Sequence, residues 1–109
     1  MGERLDLLQG TLDVLILRAL ADGPRHGYAV SRWVHARTAG TLQIEDAPLY
    51  KALRRLELAG AVEAEWGASE TNRRARYYRL TPVGRRRLKA ETSSWQRYAA
   101  AVADVLRPS

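Results

Sequence analysis

The chain has 109 residues, of which 46% are hydrophobic, a composition typical of a single folding domain with a modest core. Because cysteine is absent, disulfides and thiolate metal sites are excluded, and the two histidines alone cannot form a zinc site. The net charge is +6, with 18 basic residues against 12 acidic ones, and this excess favours a polyanionic partner. No apolar stretch near the N-terminus suits a signal peptide or a membrane span, so we expect a cytoplasmic protein with no membrane partner.

Two helices are predicted in the first third of the chain. Apolar residues from Leu5 to Leu20 cover more than one side of a helix, which indicates packing between other elements. The Asp-Gly-Pro triplet at 22–24 ends this helix. A second helix is predicted from about Gly27 to Thr38, with Trp33 at core spacing, and 42–44 is predicted as a brief extended segment.

The third predicted helix is short, amphipathic and basic. Asp46 is its expected N-cap, Pro48 fits its first turn, and Gly60 ends it. One side carries leucines at 3.6-residue spacing. The opposite side carries a basic face, Lys51 and Arg54, flanked by Tyr50 and Arg55.

A hairpin follows directly. Apolar residues alternate with glutamates from Val62 to Trp66, which indicates a half-buried strand with Trp66 in the core. After a polar loop at 67–74, a second strand is predicted from Arg76 to Thr81. Eight basic residues and no acidic one lie between Asn72 and Lys89. Helix, helix, short strand, helix and hairpin predict a mainly α fold with a small β-wing, a winged helix-turn-helix whose third helix enters the major groove.

A long helix is predicted from Pro82 to about Leu106. One stripe of this helix has no surface to bury it within so small a domain, so we expect it to pack on the same helix of a second copy. We therefore predict a DNA-binding domain over 1–80 and a dimerisation helix over 81–109. The expected interface consists of Leu88, Trp95, Ala99, Val102 and Leu106.

Three segments together resemble the PadR family of bacterial transcriptional regulators: LLQGTLDVLILRALADGPRHGYAVSRWV, LYKALRRLELAGAVEAEW and RRARYYRLTPVGRRRL. The resemblance covers residues 7–88 and continues more loosely to the end. It implies a dimeric winged-helix repressor that binds an inverted-repeat operator. The chain length is similar to that of the short members with one C-terminal dimerisation helix, some of which bind flat aromatic or cationic compounds at the dimer interface.

One segment departs from the family pattern. Where the family commonly has Gly-Ser-Leu-Tyr-Pro-Ala-Leu, this chain has Ala-Pro-Leu-Tyr-Lys-Ala-Leu from Ala47 to Leu53. Pro48 replaces a small hydroxyl that could contact phosphate, and Lys51 adds a charge on the groove-facing side. The operators of relatives are therefore not carried over to this chain.

These patterns predict two sites. The expected DNA contacts are Tyr28, Pro48, Tyr50, Lys51, Arg54, Arg55, Arg73, Arg74 and Arg76. An effector cavity for a small aromatic or cationic compound is hypothesised at the dimer seam, lined by Trp95, Leu8, Leu12 and Val102. Against this second site stands the alternative that Trp95 only packs on its twin.

Other function classes are less well supported. No catalytic triad, phosphate-binding glycine loop or metal cluster is recognisable, so we expect neither an enzyme nor a cofactor. The three arginines at 85–87 are as compatible with a solvated helix start as with DNA contact. A winged helix used for protein–protein contact is the main alternative, and it would require an exposed apolar groove where the basic residues lie.

Overall fold

The computed structural model describes residues 10–109, so Leu5 and Leu8 of the predicted first helix lie outside the described part. In chain order the elements are α1 (Leu12–Ala19), β1 (Arg25–His26), α2 (Gly27–Arg37), α3 (Asp46–Leu58), β2 (Val62–Ala68), β3 (Arg74–Leu80) and α4 (Pro82–Leu106). The strands form one antiparallel sheet in the order β1-β3-β2. This arrangement confirms the predicted winged helix-turn-helix with a long C-terminal helix.

The core lies between the first three helices and the base of the hairpin. Because the apolar positions of each helix recur at 3.6-residue spacing, they form stripes that meet in one cluster. Each fully buried aliphatic side chain stabilises the fold by roughly 1.5–3 kcal/mol. The largest of these fully buried side chains are Ile16, Leu17, Leu20, Val30, Val34, Ile44, Leu49, Leu53, Leu56 and Val62.

The third strand differs from the prediction. The extended segment 42–44 is not one of the three strands, although Leu42 forms a single β-bridge, and the third strand is instead β1, which pairs with Tyr77 and Tyr78 of β3. Side-chain contacts hold the segment against α2: Leu42 N–H donates to Thr38 Oγ1 (3.0 Å), and Ser31 Oγ donates to the Ile44 carbonyl (3.3 Å). A strand of two residues is too short to show alternation, so the sequence carried no signal for β1.

The start of α3 also differs in one detail. Its N-cap is Glu45, without a side-chain capping bond, and Asp46 is the first helical residue. The prediction of Asp46 as the cap was therefore wrong by one position. A carboxylate in the first turn still interacts favourably with the positive end of the helix dipole. Pro48 lies in this first turn, as predicted.

The hairpin is longer than predicted, with seven residues in each strand. Its register runs from Val62 opposite Leu80 at the buried base to Ala68 opposite Arg74 near the tip. Tyr78 and Leu80 are buried, as expected for one face of β3. Trp66 is 57% exposed, so its assignment to the core was wrong, because it lies on the outer half of the wing, beyond the buried base.

The start of α4 is fixed against the turn between α3 and β2. Thr81 caps the helix by accepting from Gly84 N–H (3.0 Å), and its hydroxyl donates to the Gly60 carbonyl (2.6 Å). A Cβ atom on Gly84 would lie only 2.0 Å from the Ala61 carbonyl oxygen, so no side chain fits there. The far end of α4 is exposed, and none of the helices described over 10–109 is long and apolar enough to cross a membrane.

Candidate nucleic-acid interface

A wide groove of about 1000 Å³ separates the start of α2 from the wing. Its walls combine basic and aromatic side chains, a composition suited to a phosphate backbone and its sugars. Arginines and aromatic residues of this lining are Arg25, Arg32, Arg73, Arg74, Arg76, Tyr28, Trp33, Tyr50 and Trp66.

Contacts among three side chains fix the α2 wall of the groove. His26 caps α2 by accepting from Ala29 N–H at Nδ1 (3.1 Å), and its ring stacks on Tyr28 with 6.4 Å between centroids. Tyr28 is 61% exposed, and the Arg32 guanidinium lies 5.7 Å from the centre of its ring. The predicted contact residue Tyr28 is therefore presented at the groove beside a cation.

Tyr50 joins α3 to the start of α2. A Cβ atom on Gly27 would lie 2.7 Å from two atoms of the Tyr50 ring and hydroxyl, so glycine is what allows this close approach. Burial raises the pKa of Tyr50, and the neighbouring Tyr78 and Asp46 raise it further. The phenol is consequently a neutral hydrogen-bond donor at the groove. Packing against α2 and contact with a ligand in the groove are therefore compatible for Tyr50.

The basic face of α3 divides into two parts. Lys51 and Arg54 are exposed, and neither has an ion-pair partner among the described residues. Arg55 instead donates to Asp13 Oδ1 of α1 at 2.6 Å. Lys51 and Arg54 are thus available to an external anion, whereas Arg55 is already engaged within the chain.

The wing arginines also differ from one another. Arg73 is exposed in the turn, without an ion pair in the part of the chain that the structure describes. Arg74 lies over the Trp66 ring, 4.6 Å from its centre. Arg76 donates to Glu57 at the end of α3 (3.0 Å), which partly neutralises it.

Of the predicted effector residues, Trp95 alone lines a described groove in the single chain. Trp95 and Tyr98 of α4 line a groove of about 730 Å³ beside the start of α1, together with Asp13, Arg87 and Glu91. Leu12 packs against the core, Val102 lies further along α4, and Leu8 is outside the described residues. Of the predicted dimer residues, Leu88 packs against its own core, while Val102 and Leu106 are exposed.

The sequence prediction of DNA contacts missed four of the arginine, tyrosine and tryptophan residues that line the groove, namely Arg25, Arg32, Trp33 and Trp66. Arg32 could have been found, because it lies four residues after Tyr28 and so on the same helical face. Trp66 could not, because its place beside Arg74 depends on the register of the hairpin.

Comparison with known proteins agrees with this geometry. Residues 16–90 match the model of the transcriptional regulator PadR-like family. An uncharacterized protein of Lysinibacillus sphaericus is 35% identical over 92 residues, which cover 84% of each chain. A transcriptional regulator from Clostridium thermocellum has a similar structure, with a TM-score of 0.82, 30% identity, and coverage of 91% of this chain and 93% of that one.

A PadR family transcriptional regulator from Eggerthella lenta gives a TM-score of 0.77 at 31% identity, over 93% of this chain and 86% of that one. The family match extends from α1 into the first third of α4, and therefore includes the whole basic groove. The sequence match, the winged-helix architecture and the basic groove all lead to one assignment. The chain belongs to the PadR-like family of transcriptional regulators.

Proposed function

We propose that the protein is a dimeric, sequence-specific DNA-binding repressor that binds an inverted-repeat operator. The observation that supports this most directly is the basic groove between α2, α3 and the wing. Its nearby cations Lys51, Arg54 and Arg73 have no ion-pair partner within the described residues. Binding to duplex DNA requires unneutralised cations beside a helix that can enter the major groove, and this surface has both.

Each part of the surface has a distinct role in this proposal. Lys51 and Arg54 of α3 contact base edges in the major groove, where arginine and lysine pair with guanine. Tyr28 and Tyr50 donate hydrogen bonds to phosphate, and Arg73 contacts the backbone or the minor groove beside the wing. Phosphate contacts fix the register of the protein on the duplex, and the base contacts provide the sequence preference.

Dimerisation explains the exposed stripe of α4. Val102, Val105 and Leu106 are apolar and exposed in a single chain. Packing residues 81–109 against a second copy would bury them and would place two α3 helices on neighbouring turns of the duplex, roughly 34 Å apart.

Binding to DNA is tested by selecting fragments from random duplex DNA and measuring affinity for the selected site. Lys51→Ala and Arg54→Ala should each cost about 1–3 kcal/mol of binding if the side chain reads a base. Arg79→Ala is the matched control, because Arg79 lies on the opposite face of the wing, paired with Glu63. Unchanged affinity in both α3 variants would show that α3 is not the DNA-reading helix.

Effector binding at the dimer seam is a finer part of the proposal. A planar aromatic or lipophilic cation would stack between Trp95 and its copy in the second subunit, and a cation–π contact would add about 0.5–2 kcal/mol. Such a ligand would release DNA only by binding one relative placement of the two winged domains better than the other.

Fluorescence of Trp95 tests the effector hypothesis. In a variant with Trp33 and Trp66 replaced by Phe, a planar cation should quench the Trp95 emission. If no quenching occurs at up to about millimolar concentration, binding is weaker than about 4 kcal/mol, and Trp95 is a packing residue.

A winged helix used for protein–protein contact is the alternative function. A protein partner would not require the uncompensated arginines of the groove, and its affinity would vary less steeply with salt than that of a phosphate-binding surface. Measuring the salt dependence of duplex binding therefore separates the two. Membership in a family of transcriptional regulators also speaks against an enzyme, at the level of family inference.

A further inference from the structure

We infer that Trp66 is a positioning residue for DNA binding, which holds the Arg74 guanidinium on the groove side of the wing. This inference rests on the proposed DNA-binding function and assigns a role to a residue that the sequence pattern placed in the core.

The hairpin register places the two side chains on one face. Trp66 is opposite Arg76, and Arg74 lies two residues before Arg76 on β3. Residues directly opposite, and residues two apart, point to the same side of a sheet. The Arg74 Cζ atom lies 4.6 Å from the centre of the Trp66 ring, well within the roughly 6 Å range of a cation–π contact.

Core packing does not account for Trp66. On the same face, Tyr78 and Leu80 are buried at the base of the hairpin, whereas Trp66 is 57% exposed further out. The exposed surface lines the groove between the wing and α2. A large ring at this position therefore contributes to the surface of the groove more than to the core.

Arg74 differs from Arg73 and Arg76, the other two wing arginines that line the groove, in a way that suits phosphate binding. Arg76 is neutralised in part by Glu57, and Arg73 has no partner in the described chain to fix its side chain. Arg74 is held by an aromatic ring, which keeps its full charge and leaves the edges of its planar guanidinium free to donate. An ordered cation loses less side-chain entropy when it binds a phosphate.

The opposite wall of the groove repeats the same pairing. Arg32 lies 5.7 Å from the centre of the Tyr28 ring, and Tyr28 is 61% exposed. An arginine beside an exposed aromatic ring thus occurs on both walls. A sugar-phosphate strand fits between such walls, because each wall presents a guanidinium group, held in place by a ring, that can bind its phosphates.

A double-mutant cycle on DNA affinity tests the inference, using Trp66→Ala, Arg74→Ala and the double variant with the selected duplex. Trp66→Ala should weaken binding about 3- to 30-fold, the range expected when a stacked arginine loses its ring. It should also reduce the slope of log affinity against log salt by up to about one unit. The double variant should bind little worse than Arg74→Ala, because the tryptophan acts through the arginine.

Three controls separate this role from a structural one. Trp66→Phe keeps a ring and should recover most of the affinity, and the thermal unfolding midpoint of Trp66→Ala should stay close to that of the parent, because the residue is exposed. Val83→Ala removes another exposed apolar side chain, 44% exposed and outside the groove, and should bind as the parent does.

The outcomes are distinct. If Trp66→Ala matches the parent in affinity and salt slope, or if its loss adds fully to that of Arg74→Ala, the inference is wrong although the protein binds DNA. If the parent itself does not bind any duplex, the proposed function fails first.

Discussion

At the scale of single residues, the site depends on close approaches that only small side chains permit. Gly27 admits the Tyr50 ring, and the same ring lies between the core of α3 and the open groove. A residue that could be assigned to packing or to DNA contact from its helical angle can therefore serve both. The position of Tyr50 is set by its neighbour on α2 as much as by its place on α3.

Replacing Gly27 by Ala should displace Tyr50. The new Cβ would lie 2.7 Å from the ring, and overpacking of this kind costs about 1–3 kcal/mol of unfolding free energy, towards the lower end because the ring can swing outwards. DNA affinity should fall along with it. Urea denaturation measures the first effect, and titration with duplex measures the second.

The control is the same substitution in a Tyr50→Ala background. There the obstructing ring is gone, so Gly27→Ala should be neutral or slightly stabilising, as alanine is favoured over glycine in a helix. Equal destabilisation in both backgrounds would contradict the steric explanation.

At the scale of elements, three helices meet at Asp13. Its carboxylate accepts from Arg55 of α3 (2.6 Å) and from Arg87 of α4 (2.9 Å), and Arg87 also pairs with Glu91. The hydrogen bond to Glu91 is the largest of the effects that raise the pKa of Arg87. Asp13 thereby links the helix proposed to read DNA to the helix proposed to dimerise.

Replacing Asp13 by Asn should destabilise the fold by about 1–3 kcal/mol. The Asp13 side chain is only 16% exposed and has two partners, so its pairs are less screened than an ordinary surface pair. The difference from the parent should shrink at high salt. Denaturant titrations at low and high ionic strength measure both effects.

Asp22→Asn provides the comparison for this prediction. Asp22 pairs with Arg18 at the surface, within one turn of chain, with 61% of its side chain exposed. Its loss should cost no more than about 1 kcal/mol. If the two variants lose equal stability, Asp13 has no special role in joining the helices.

At the scale of the whole molecule, α4 extends beyond the domain that its first turns pack against. The protein measures 56 × 33 × 22 Å, and the exposed apolar residues Val105 and Leu106 lie at the end of α4. In a monomer these apolar side chains would remain exposed to water and would not contribute to stability by burial. A second copy is the partner that we propose for it.

A charge on the predicted stripe should separate the dimer. Ala99→Glu would bury two carboxylates at the seam, which is costly because neither gains a partner. Light scattering should then report a monomer at concentrations where the parent is a dimer, and affinity for a two-half-site operator should fall more than affinity for one half-site.

Ala100→Glu is the matched control, because position 100 points about 100° away from position 99 on the same helix. This variant should remain dimeric and should bind the operator as the parent does. Dissociation of both variants, or of neither, would show that the dimer uses a different surface.

Local periodicity was sufficient to predict the helices and the hairpin. Leucines at 3.6-residue spacing in α3, and alternation along β3, each follow from the geometry of one element, so they can be identified without knowing its neighbours. The Thr81-Pro82 start of α4 was equally local, because a cap and a first-turn proline act on their own helix.

The sequence by itself thus determined the order of the four helices and the hairpin, the basic face of α3 and the family, but not the position of the third strand, β1. Only the tertiary structure decided which cations are free. Arg55 and Arg54 are neighbours in sequence, yet Arg55 is paired with Asp13, 42 residues away, and Arg76 with Glu57. The exposure of Trp66 was decided in the same way, by hairpin register and by where the helices end. Ion pairs and burial depend on contacts between distant segments, and the periodicity within one segment does not indicate which distant residues it will contact.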